Sequence, residues 1–546
     1  MASSADSSGT DSTWYATVGK PDLERILTRS AGSKVFDESI LQILDLLPIE
    51  QRQGFAQMWR FYCDQRFQAP RGAAFGFGGP TAMGGGSGGG GGSGSGASAA
   101  GPPALAPESP APDAPKIMPP SPASILDIGD LEPCPDDAAL QHELLDKLVV
   151  LKLNGGLGLT MGCKGPKSGI EVRQDLSFLD LVVRQVEYTN TAFGVDVPLV
   201  LMNSFNTHEE TVNIIHKYRQ HNLTIHTFNQ SCYPYIFRES LQPVPARPFD
   251  GDEDEREFWY PPGHGDVFSA LFQSGLLENL VDQGKEYIFI SNVDNLGATV
   301  DLDIIFHLMN SGIEFLGEVT RKTKRESEIA VGGHVLAEVG GRLTMAGLER
   351  ITSASHTSKT DLLHYNTNNL WVSLRSIQRL VAQDIIKMDV TVNELSVHGM
   401  PVVQLERAAG TAMQHFAKSA ALNVPRIRFV PVKSTADLFL LQSDLYHINH
   451  GCLQMRAERA AESIPVVKFS HEFDRLEDYW ARIPRGMPNV IRLEQLTVSG
   501  DVWFGSGVTL HGTVIIVANE GARIDVPDGT ILQDKVVTGD LRIFEH

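Results

Sequence analysis

The chain is poor in cysteine, in basic charge and in long apolar runs, and each shortage excludes a class of protein. Its 546 residues include 5 cysteines, whose odd number and spacing give neither a disulfide framework nor a CxxC metal motif. Lys and Arg number 46 against 66 Asp and Glu, so the formal charge of −20 excludes the broad basic surface needed for nucleic-acid polymers or anionic membranes. Because no run of about 18 apolar residues occurs, we expect no membrane span.

The N-terminus also lacks the signals of a targeting segment. It contains Asp6 and Asp11 and no apolar stretch, which is wrong for a secretory signal, and it is not rich in arginine like a transit peptide. With so few cysteines, the sequence fits a reducing compartment. We therefore expect a cytoplasmic protein.

Composition divides the first 124 residues into two parts. Residues 14–69 contain apolar side chains at helical spacing, with Pro48 at a helix boundary, and residues 1–69 are predicted to be a helical extension. Because it is marginal in size for an independent domain, we expect it to pack against another part of the protein or to be only partly ordered. Residues 70–124 are rich in Gly, Ser, Pro and Ala and predict a disordered linker, because such a chain cannot bury enough apolar area to offset its entropy. We expect the linker to decouple the extension from the rest, so that residues 125–546 would be active alone.

Residues 125–485 read as one α/β domain. Short apolar runs at 148–153, 198–202, 223–228 and 287–290 predict strands, and helical patterns at 178–188 and 207–221 separate three of them. Strands that alternate with helices imply right-handed crossovers and a mainly parallel sheet covered on both faces.

Residues 486–546 have a different pattern. Short strands at 496–498, 502–504, 508–510, 514–517, 524–526 and 531–532 are separated by regularly placed glycines. This pattern predicts a β-solenoid, with a small irregular sheet as the alternative.

A glycine-rich loop follows the first predicted strand of the α/β domain. Residues 154–162 read Asn-Gly-Gly-Leu-Gly-Leu-Thr-Met-Gly, and Lys164 and Lys167 follow. The spacing fits neither the dinucleotide GxGxxG motif nor a P-loop. A tight turn is the structural alternative, but glycines beside two cations favour a phosphate site.

Other segments supply candidate ligands for a sugar or a metal. Asp294 follows the strand at 287–290, where a carboxylate could hold a divalent cation, although a lone Asp is usually a turn residue or helix cap. His264 lies between Gly263 and Gly265 in an aromatic loop, and residues 366–369 place three amides before Leu370. Amides suit sugar hydroxyls, and a turn is the alternative.

These motifs, taken in order, resemble eukaryotic UDP-glucose pyrophosphorylases (UTP–glucose-1-phosphate uridylyltransferases). The matching segments cover residues 125–546 without a break in order. They are Lys-Leu-Asn-Gly-Gly-Leu-Gly at 152–158, Thr-Phe-Asn-Gln-Ser at 227–231, Tyr-Pro-Pro-Gly-His-Gly-Asp at 260–266, Ser-Asn-Val-Asp-Asn at 291–295, Asn-Thr-Asn-Asn-Leu-Trp at 366–371, Pro-Val-Lys at 431–433 and Val-Ser-Gly-Asp-Val-Trp-Phe-Gly at 498–505.

The resemblance implies a Rossmann-like nucleotidyltransferase domain with a mainly parallel mixed sheet and a C-terminal left-handed β-helix. It implies reversible formation of UDP-glucose and pyrophosphate from UTP and glucose 1-phosphate, with Mg²⁺. The nucleotide-binding residues it implies are Leu153, Asn154, Gly155, Gly156, Lys167, Gln230, Gly263, Asp294 and Lys433.

The same resemblance assigns the other roles. Lys433 and Lys167 are implied to be catalytic, through charge neutralisation rather than a covalent intermediate. Asp294 is implied to hold the metal. The implied sugar-side residues are Gly155, Gly156, His264, Asn292, Val293, Asp294, Asn368, Asn369 and Leu370.

The sequence departs from the family pattern at Leu159, Cys232 and Val331, of which the last removes a cation that could lie near the sugar nucleotide. Two other functions remain open. One is a pyrophosphorylase for another sugar 1-phosphate, and the other is a weakly active homologue that serves as an interaction scaffold. The apolar residues Leu541, Ile543 and Phe544 at the end of the chain predict a homo-oligomer, by resemblance an octamer, held by the C-terminal domain.

Overall fold

A computed structural model describes residues 34–68, 117–322, 333–348, 362–459 and 463–539. Within these ranges the helices are α1 (Lys34–Asp45), α2 (Ile49–Gln68), α3 (Ala138–Asp146), α4 (Phe178–Phe193), α5 (His208–Ile215), α6 (Glu253–Arg256), α7 (Val267–Gln273), α8 (Leu276–Asp282), α9 (Leu302–Ser311), α10 (Leu374–Ala382), α11 (Thr435–Gln442) and α12 (Leu476–Arg482).

The strands are numbered in chain order. They are β1 (Ile117–Met118), β2 (Ile125–Asp127), β3 (Leu148–Leu153), β4 (Glu171–Arg173), β5 (Leu176–Ser177), β6 (Leu199–Asn203), β7 (Ile225–Asn229), β8 (Tyr233–Pro234), β9 (Ile236–Phe237), β10 (Trp259–Tyr260), β11 (Tyr287–Asn292), β12 (Phe315–Arg321), β13 (His334–Val339), β14 (Arg342–Gly347), β15 (His364–Ser373), β16 (Val390–Val397), β17 (Met400–Arg407), β18 (Ser419–Asn423), β19 (Tyr446–Asn449), β20 (Cys452–Met455), β21 (Val466–Phe469), β22 (Leu493–Ser499), β23 (Asp501–Phe504), β24 (Thr509–Val517), β25 (Arg523–Val526) and β26 (Ile531–Thr538).

The central feature is a mixed, mainly parallel sheet of 11 strands, with its main path in the order β2-β18-β12-β15-β11-β3-β6-β7. Along this path only the pairs that involve β15 are antiparallel. The four strands predicted from the short apolar runs are present as β3, β6, β7 and β11, so the α/β prediction is confirmed.

Burial on both faces explains why β3 is an uninterrupted apolar run. Leu148 and Val150 pack on one face with α3, α4 and α9, whereas Val149 and Leu151 pack on the other with α7, α8 and α10. A strand covered on both faces has no solvent side on which to place polar residues. Lys152 is the polar exception in this strand.

Local signals set the ends of the helices that flank the sheet. Helix α4 begins at a capping box in which Ser177 and Asp180 satisfy each other's backbone N–H groups, and it ends at Gly194 in the left-handed conformation. The helix predicted over 207–221 is shorter, because α5 ends at Ile215 and continues as a 3-10 turn, His216–Tyr218.

The sheet topology places the candidate site. The carboxyl ends of β3, β6, β7 and β11 lie at one edge because these strands are parallel neighbours. Strand β15 runs antiparallel beside β11, so its residues 366–369 come to the same edge. Ligands of open α/β sheets bind at such an edge.

The N-terminal helices are packed against the α/β domain. Helices α1 and α2 are separated by Pro48, as the sequence predicts. Their apolar side chains join one cluster with residues of β8, β9, β10, β16 and β17, and Phe55 meets the ring of Tyr233 edge to face at 5.1 Å. The expectation of a decoupled extension is therefore wrong. Residues 125–546 alone would expose this apolar surface, and we expect them to lose stability.

The boundary of the predicted linker also needs correction. Strand β1 pairs with β13, and Ile117 is buried, so ordered structure begins before residue 124. A pair of strands with a buried apolar side chain is not a free spacer. Residues 70–116, Val331, Leu541, Ile543 and Phe544 lie outside the described residues.

The C-terminal part is a stack of parallel strands. Strands β21, β22, β24 and β26 form one sheet in that order, and β23 pairs with β25. The predicted strands at 508–510 and 514–517 form a single strand, β24, whose register shifts near Gly512. Parallel pairs between successive turns of chain fit the predicted solenoid. The hand of the coil stays a prediction.

No helix within the described ranges is long and apolar enough to cross a membrane.

Candidate active site

The glycine-rich loop is anchored at its start and open further along. Asn154 Nδ2 donates to Asn203 Oδ1 at 2.8 Å and to Thr211 Oγ1 at 2.9 Å, and the Gly155 carbonyl accepts from Ser204 Oγ at 2.8 Å. A Cβ on Gly156 would meet no atom within 4 Å. The backbone after Asn154 is thus fixed in place while its outer side stays free for a ligand.

A lysine and an aspartate from separate segments meet beside this loop. Lys167 Nζ lies 2.6 Å from Asp294 Oδ2, and the two side chains are only 18% and 10% exposed. The Lys167 N–H donates to the Gly156 carbonyl at 3.3 Å, which ties the pair to the loop. The structure therefore brings together the predicted phosphate-binding lysine and the predicted metal-binding carboxylate.

Gln230 and Gly263 stand on the β7 side of the edge. Gln230 is buried, and its Nε2 lies so close to Gly155 that a Cβ there would be 2.0 Å away. Gln230 Oε1 has no hydrogen-bond partner. A buried acceptor without a donor costs free energy, so this amide is prepared for a donor that a ligand supplies.

His264 is held as a neutral ring. The Ala409 N–H donates to its Nδ1 at 3.1 Å, which leaves Nε2 as the protonated nitrogen. Burial, with a smaller contribution from the nearby His334, lowers the pKa of His264 to about 4. The imidazole therefore offers an N–H donor without a positive charge at neutral pH.

The predicted sugar-side residues divide into two groups. Asn368 adopts a positive φ of 60°, its Nδ2 donates to Asn292 Oδ1 at 2.9 Å, and its buried Oδ1 has no partner. Asn369 and Leu370 are instead fully buried in the sheet. Their side chains therefore pack within the sheet, and their assignment to the sugar side stays a prediction. Val293 is buried as well, between Asn292 and Asp294.

Asn369 belongs to a buried polar network that the sequence analysis missed. Its Nδ2 donates to Glu318 Oε2 at 2.9 Å, and Glu318 Oε1 lies 2.6 Å from Arg428 Nη2. Asn295 donates to Asn369 Oδ1 and to the Arg428 carbonyl. This network fixes the β11 and β15 segments that carry Asn292 and Asn368. No sequence signal marks a pair that is separated by 110 residues.

Lys152 is a second buried group that was not assigned a role. Its Nζ donates to Ser291 Oγ at 2.8 Å and to the Ala298 carbonyl at 3.0 Å. Burial lowers its pKa to about 7. A lysine in an otherwise apolar strand was the available signal.

Lys433 is exposed, and its backbone contacts the glycine-rich loop. Thr160 Oγ1 donates to the Lys433 carbonyl at 3.3 Å, and the Lys433 N–H donates to Asp437 Oδ2 at 2.9 Å, at the start of α11. The loop thus contacts both the Lys167 segment and the Lys433 segment.

Two departures from the family pattern can be placed. Leu159 is 71% exposed on the loop. Cys232 packs with the cluster formed by α2 and the aromatic side chains near it, and burial raises the pKa of its thiol. Cys232 therefore affects the contact with the N-terminal helices.

The open glycine-rich loop, the Lys–Asp pair and the unpartnered amide oxygens at one sheet edge are features expected of an α/β nucleotidyltransferase. A family model described as UTP–glucose-1-phosphate uridylyltransferase matches residues 107–511. The chain belongs to this family.

The relatives agree with this assignment. The chain is 47% identical over 430 residues to UTP–glucose-1-phosphate uridylyltransferase 2 of Dictyostelium discoideum, covering 78% of this chain and 84% of the relative. It is 46% identical over 428 residues to the enzyme of Musa acuminata, covering 78% and 90%.

Solved structures give the same result. A mutant UDP-glucose pyrophosphorylase of Leishmania major in complex with UDP-glucose matches with a TM-score of 0.68 and 31% identity, covering 77% of this chain and 90% of that chain. Another structure, from a study of open and closed forms of the Leishmania major enzyme, matches with a TM-score of 0.73 and 27% identity and covers 93% and 100%.

Proposed function

We propose that this protein transfers UMP reversibly from UTP to glucose 1-phosphate, giving UDP-glucose and pyrophosphate. Family membership and the names of the relatives support this activity. The observation that carries it is the gathering of the open glycine-rich loop, the Lys167–Asp294 pair and the free Gln230 amide at one sheet edge.

Gln230 and Gly263 are the residues proposed to recognise uracil and ribose. The free Oε1 of Gln230 can accept from the uracil N3–H, which a cytosine ring does not offer. A purine is larger and does not present a donor at the position of the uracil N3–H, so it would leave this buried acceptor unpaired, which lowers kcat/KM strongly. Leu153, Asn154 and Gly155 complete this side of the loop.

Asn292, Asn368 and His264 are proposed to face the sugar phosphate. The Asn368 Oδ1 lacks a partner and can accept from a sugar hydroxyl, and the neutral His264 can donate from Nε2. The positive φ of Asn368 costs backbone energy, which structures keep mainly at functional positions.

The chemical step needs position and charge rather than a covalent intermediate. An oxygen of the sugar phosphate attacks the α-phosphorus of UTP in line, the bond to the bridging oxygen breaks, and pyrophosphate leaves with that electron pair. Lys167, Lys433 and the amides of the loop would neutralise the charge that develops at the α-phosphate.

The residues also fit a magnesium ion delivered with the phosphates. In the described part of the chain no group of three or more His, Cys, Asp or Glu could form a protein-only metal cage. Mg²⁺ commonly uses one carboxylate, water and substrate phosphates, so Asp294 is a sufficient protein ligand. When bound there, Mg²⁺ would supply charge neutralisation at the phosphates.

The proposal is tested by pyrophosphate release from UTP and Mg²⁺ with each sugar 1-phosphate in turn. We expect glucose 1-phosphate to react much faster than galactose 1-phosphate or an N-acetylhexosamine 1-phosphate. A higher rate with another sugar 1-phosphate would make that compound the proposed substrate. If no sugar 1-phosphate reacts, the alternative of a weakly active interaction scaffold is favoured.

A matched pair of lysine variants tests the charge-neutralising role. Lys433→Ala should lower kcat about 10²–10³-fold, the usual loss for one transition-state donor. Lys468→Ala removes an exposed lysine from β21 and serves as the control. A Lys433→Ala enzyme with normal kcat and only a raised KM would assign this lysine to ground-state binding.

The C-terminal strands are proposed to form a left-handed β-helix that holds a cytoplasmic homo-oligomer, an octamer by resemblance. Ile531 and Val536 on β26 are 65% and 63% exposed and give this end an apolar surface. Light scattering should show an assembly that Ile531→Asp with Val536→Asp dissociates. A monomeric unmodified protein would refute this part of the proposal.

A further inference from the structure

Helix α2 contacts the residues that directly follow Gln230. Gln51 Oε1 accepts from the Cys232 N–H at 3.0 Å, and the Gln51 carbonyl accepts from the Tyr233 hydroxyl at 3.4 Å. The helix approaches closely here, because a Cβ on Gly54 would lie 2.7 Å from that hydroxyl. The chain immediately after Gln230 thus depends on α2 for its position.

The turn that carries Gly263 rests on Arg407 at the end of β17. The Arg407 N–H donates to the Pro262 carbonyl at 2.9 Å. A Cβ on Gly263 would lie 2.7 Å from the Arg407 carbonyl oxygen, and one on Gly265 would lie 2.7 Å from Arg407 Cβ. Because the contact is this close, the position of the turn and the position of Arg407 depend on each other.

Arg407 is in turn bound to α2. Its side chain is buried, with 7% exposed, and Nη2 donates to the Gly54 carbonyl at 2.8 Å and to Gln57 Oε1 at 3.3 Å. Burying a guanidinium costs free energy unless its N–H groups find acceptors. Helix α2 supplies both acceptors of Nη2, whereas Nε has no hydrogen-bond partner among the described residues.

A hydrogen bond joins the two segments to each other. The Ser231 N–H donates to Asp266 Oδ2 at 2.7 Å, and Asp266 is buried in the turn that rests on Arg407. Burial raises the pKa of Asp266, and the hydrogen bonds from Ser231 and, to a smaller extent, the charge of Arg407 oppose this rise. Arg407 therefore helps to keep the carboxylate charged, which strengthens its bond to Ser231.

We propose that Arg407 is a positioning residue for recognition of the nucleotide base, and that helix α2 positions it. Arg407 acts through the Gly263 turn and, by way of Asp266 and Ser231, through Gln230. The N-terminal helices are then a structural part of the nucleotide site. This inference rests on the proposed function, because it assigns a role within that site.

The first test is steady-state kinetics of Arg407→Ala. We expect KM for UTP to rise about tenfold and the preference for UTP over CTP, as a ratio of kcat/KM, to fall about tenfold, the effect of losing one charged hydrogen-bonded contact. KM for glucose 1-phosphate and kcat should change less than about twofold, because the chemistry is elsewhere. Arg407→Lys, which keeps the charge near Asp266, should recover part of the preference for UTP.

The second test is a matched pair of glutamine variants that both remove one hydrogen bond between α2 and the body. Gln51→Ala removes the acceptor of the Cys232 N–H. Gln273→Ala removes a 2.7 Å bond from Nε2 to the Glu50 carbonyl, which touches neither base segment. We expect only Gln51→Ala to raise KM for UTP and lower the preference over CTP. This pair decides the question if Arg407→Ala does not fold.

The outcomes separate the inference from the function on which it rests. An active unmodified enzyme with unchanged UTP kinetics in Arg407→Ala and Gln51→Ala would overturn the inference alone. Equal effects of Gln51→Ala and Gln273→Ala would also overturn it, because the role of α2 would then be general stability. If the unmodified protein does not consume UTP, the proposed function fails, and calorimetric binding of UTP to the same variants decides the inference.

Discussion

Replacing Glu318 by Gln should destabilise the protein by an amount that the buried network allows us to estimate. Glu318 is fully buried on β12 and accepts four hydrogen bonds, from Asn369 Nδ2, from Trp371 Nε1 and from Nε and Nη2 of Arg428. Gln keeps one acceptor oxygen and places an NH₂ group against donors. Breaking a buried ion pair by removing one partner costs about 3–5 kcal/mol, and this is the expected loss in free energy of unfolding.

Urea unfolding at neutral pH measures this loss as a lower midpoint with an unchanged slope. Glu394→Gln is the control, because Glu394 forms an ion pair with Arg238 at the surface, where the two side chains are 40% and 43% exposed. Such a surface pair contributes at most about 1 kcal/mol to the free energy of unfolding. If the free energy of unfolding of Glu318→Gln lies within about 1 kcal/mol of that of the unmodified protein, the claim that this network fixes the β11 and β15 segments is refuted.

Three further predictions concern the site itself. Because Lys152 has its pKa lowered to about 7, the unfolded chain binds more protons above that pH, so stability relative to Lys152→Met should rise by about 1.4 kcal/mol per pH unit from about pH 7 to about pH 9. A constant difference in urea midpoints would contradict this. Gly263→Ala should raise KM for UTP by pressing on Arg407, whereas Gly275→Ala, at a similar positive φ with no atom within 4 Å, should not; equal KM values would contradict the close contact. Asp294→Asn should abolish Mg²⁺-dependent turnover, and full rescue by excess Mg²⁺ would exclude direct coordination.

The parts of the fold that follow from local pattern were predictable. Strand β3 could be predicted because burial on both faces demands an apolar run, and the glycine-rich loop followed because it comes directly after that strand. The edge of the sheet then brought Asn154, Gln230 and Asp294 together, since parallel strands share the direction of their carboxyl ends.

The parts that depend on distant contacts were not predictable. Asn369 and Leu370 follow Asn368 directly, yet only Asn368 has the positive φ that separates it from the buried network. A sequence resemblance shows which residue types match at each position, but it does not show where a side chain points. The surface on which α2 docks was not predictable for a related reason, because a long Gly-rich segment says nothing about whether the parts that it joins have complementary apolar surfaces.

The shared core of the catalytic sheet and the C-terminal strands has a consequence for mechanics. Val490, Leu493 and Leu496 belong to the same apolar cluster as Phe289 and Trp371 of the central sheet. A torque applied to the strand stack would therefore be transmitted to the sheet instead of being absorbed by a hinge. A partner bound to the C-terminal strands would therefore also fix the orientation of the nucleotide site relative to itself.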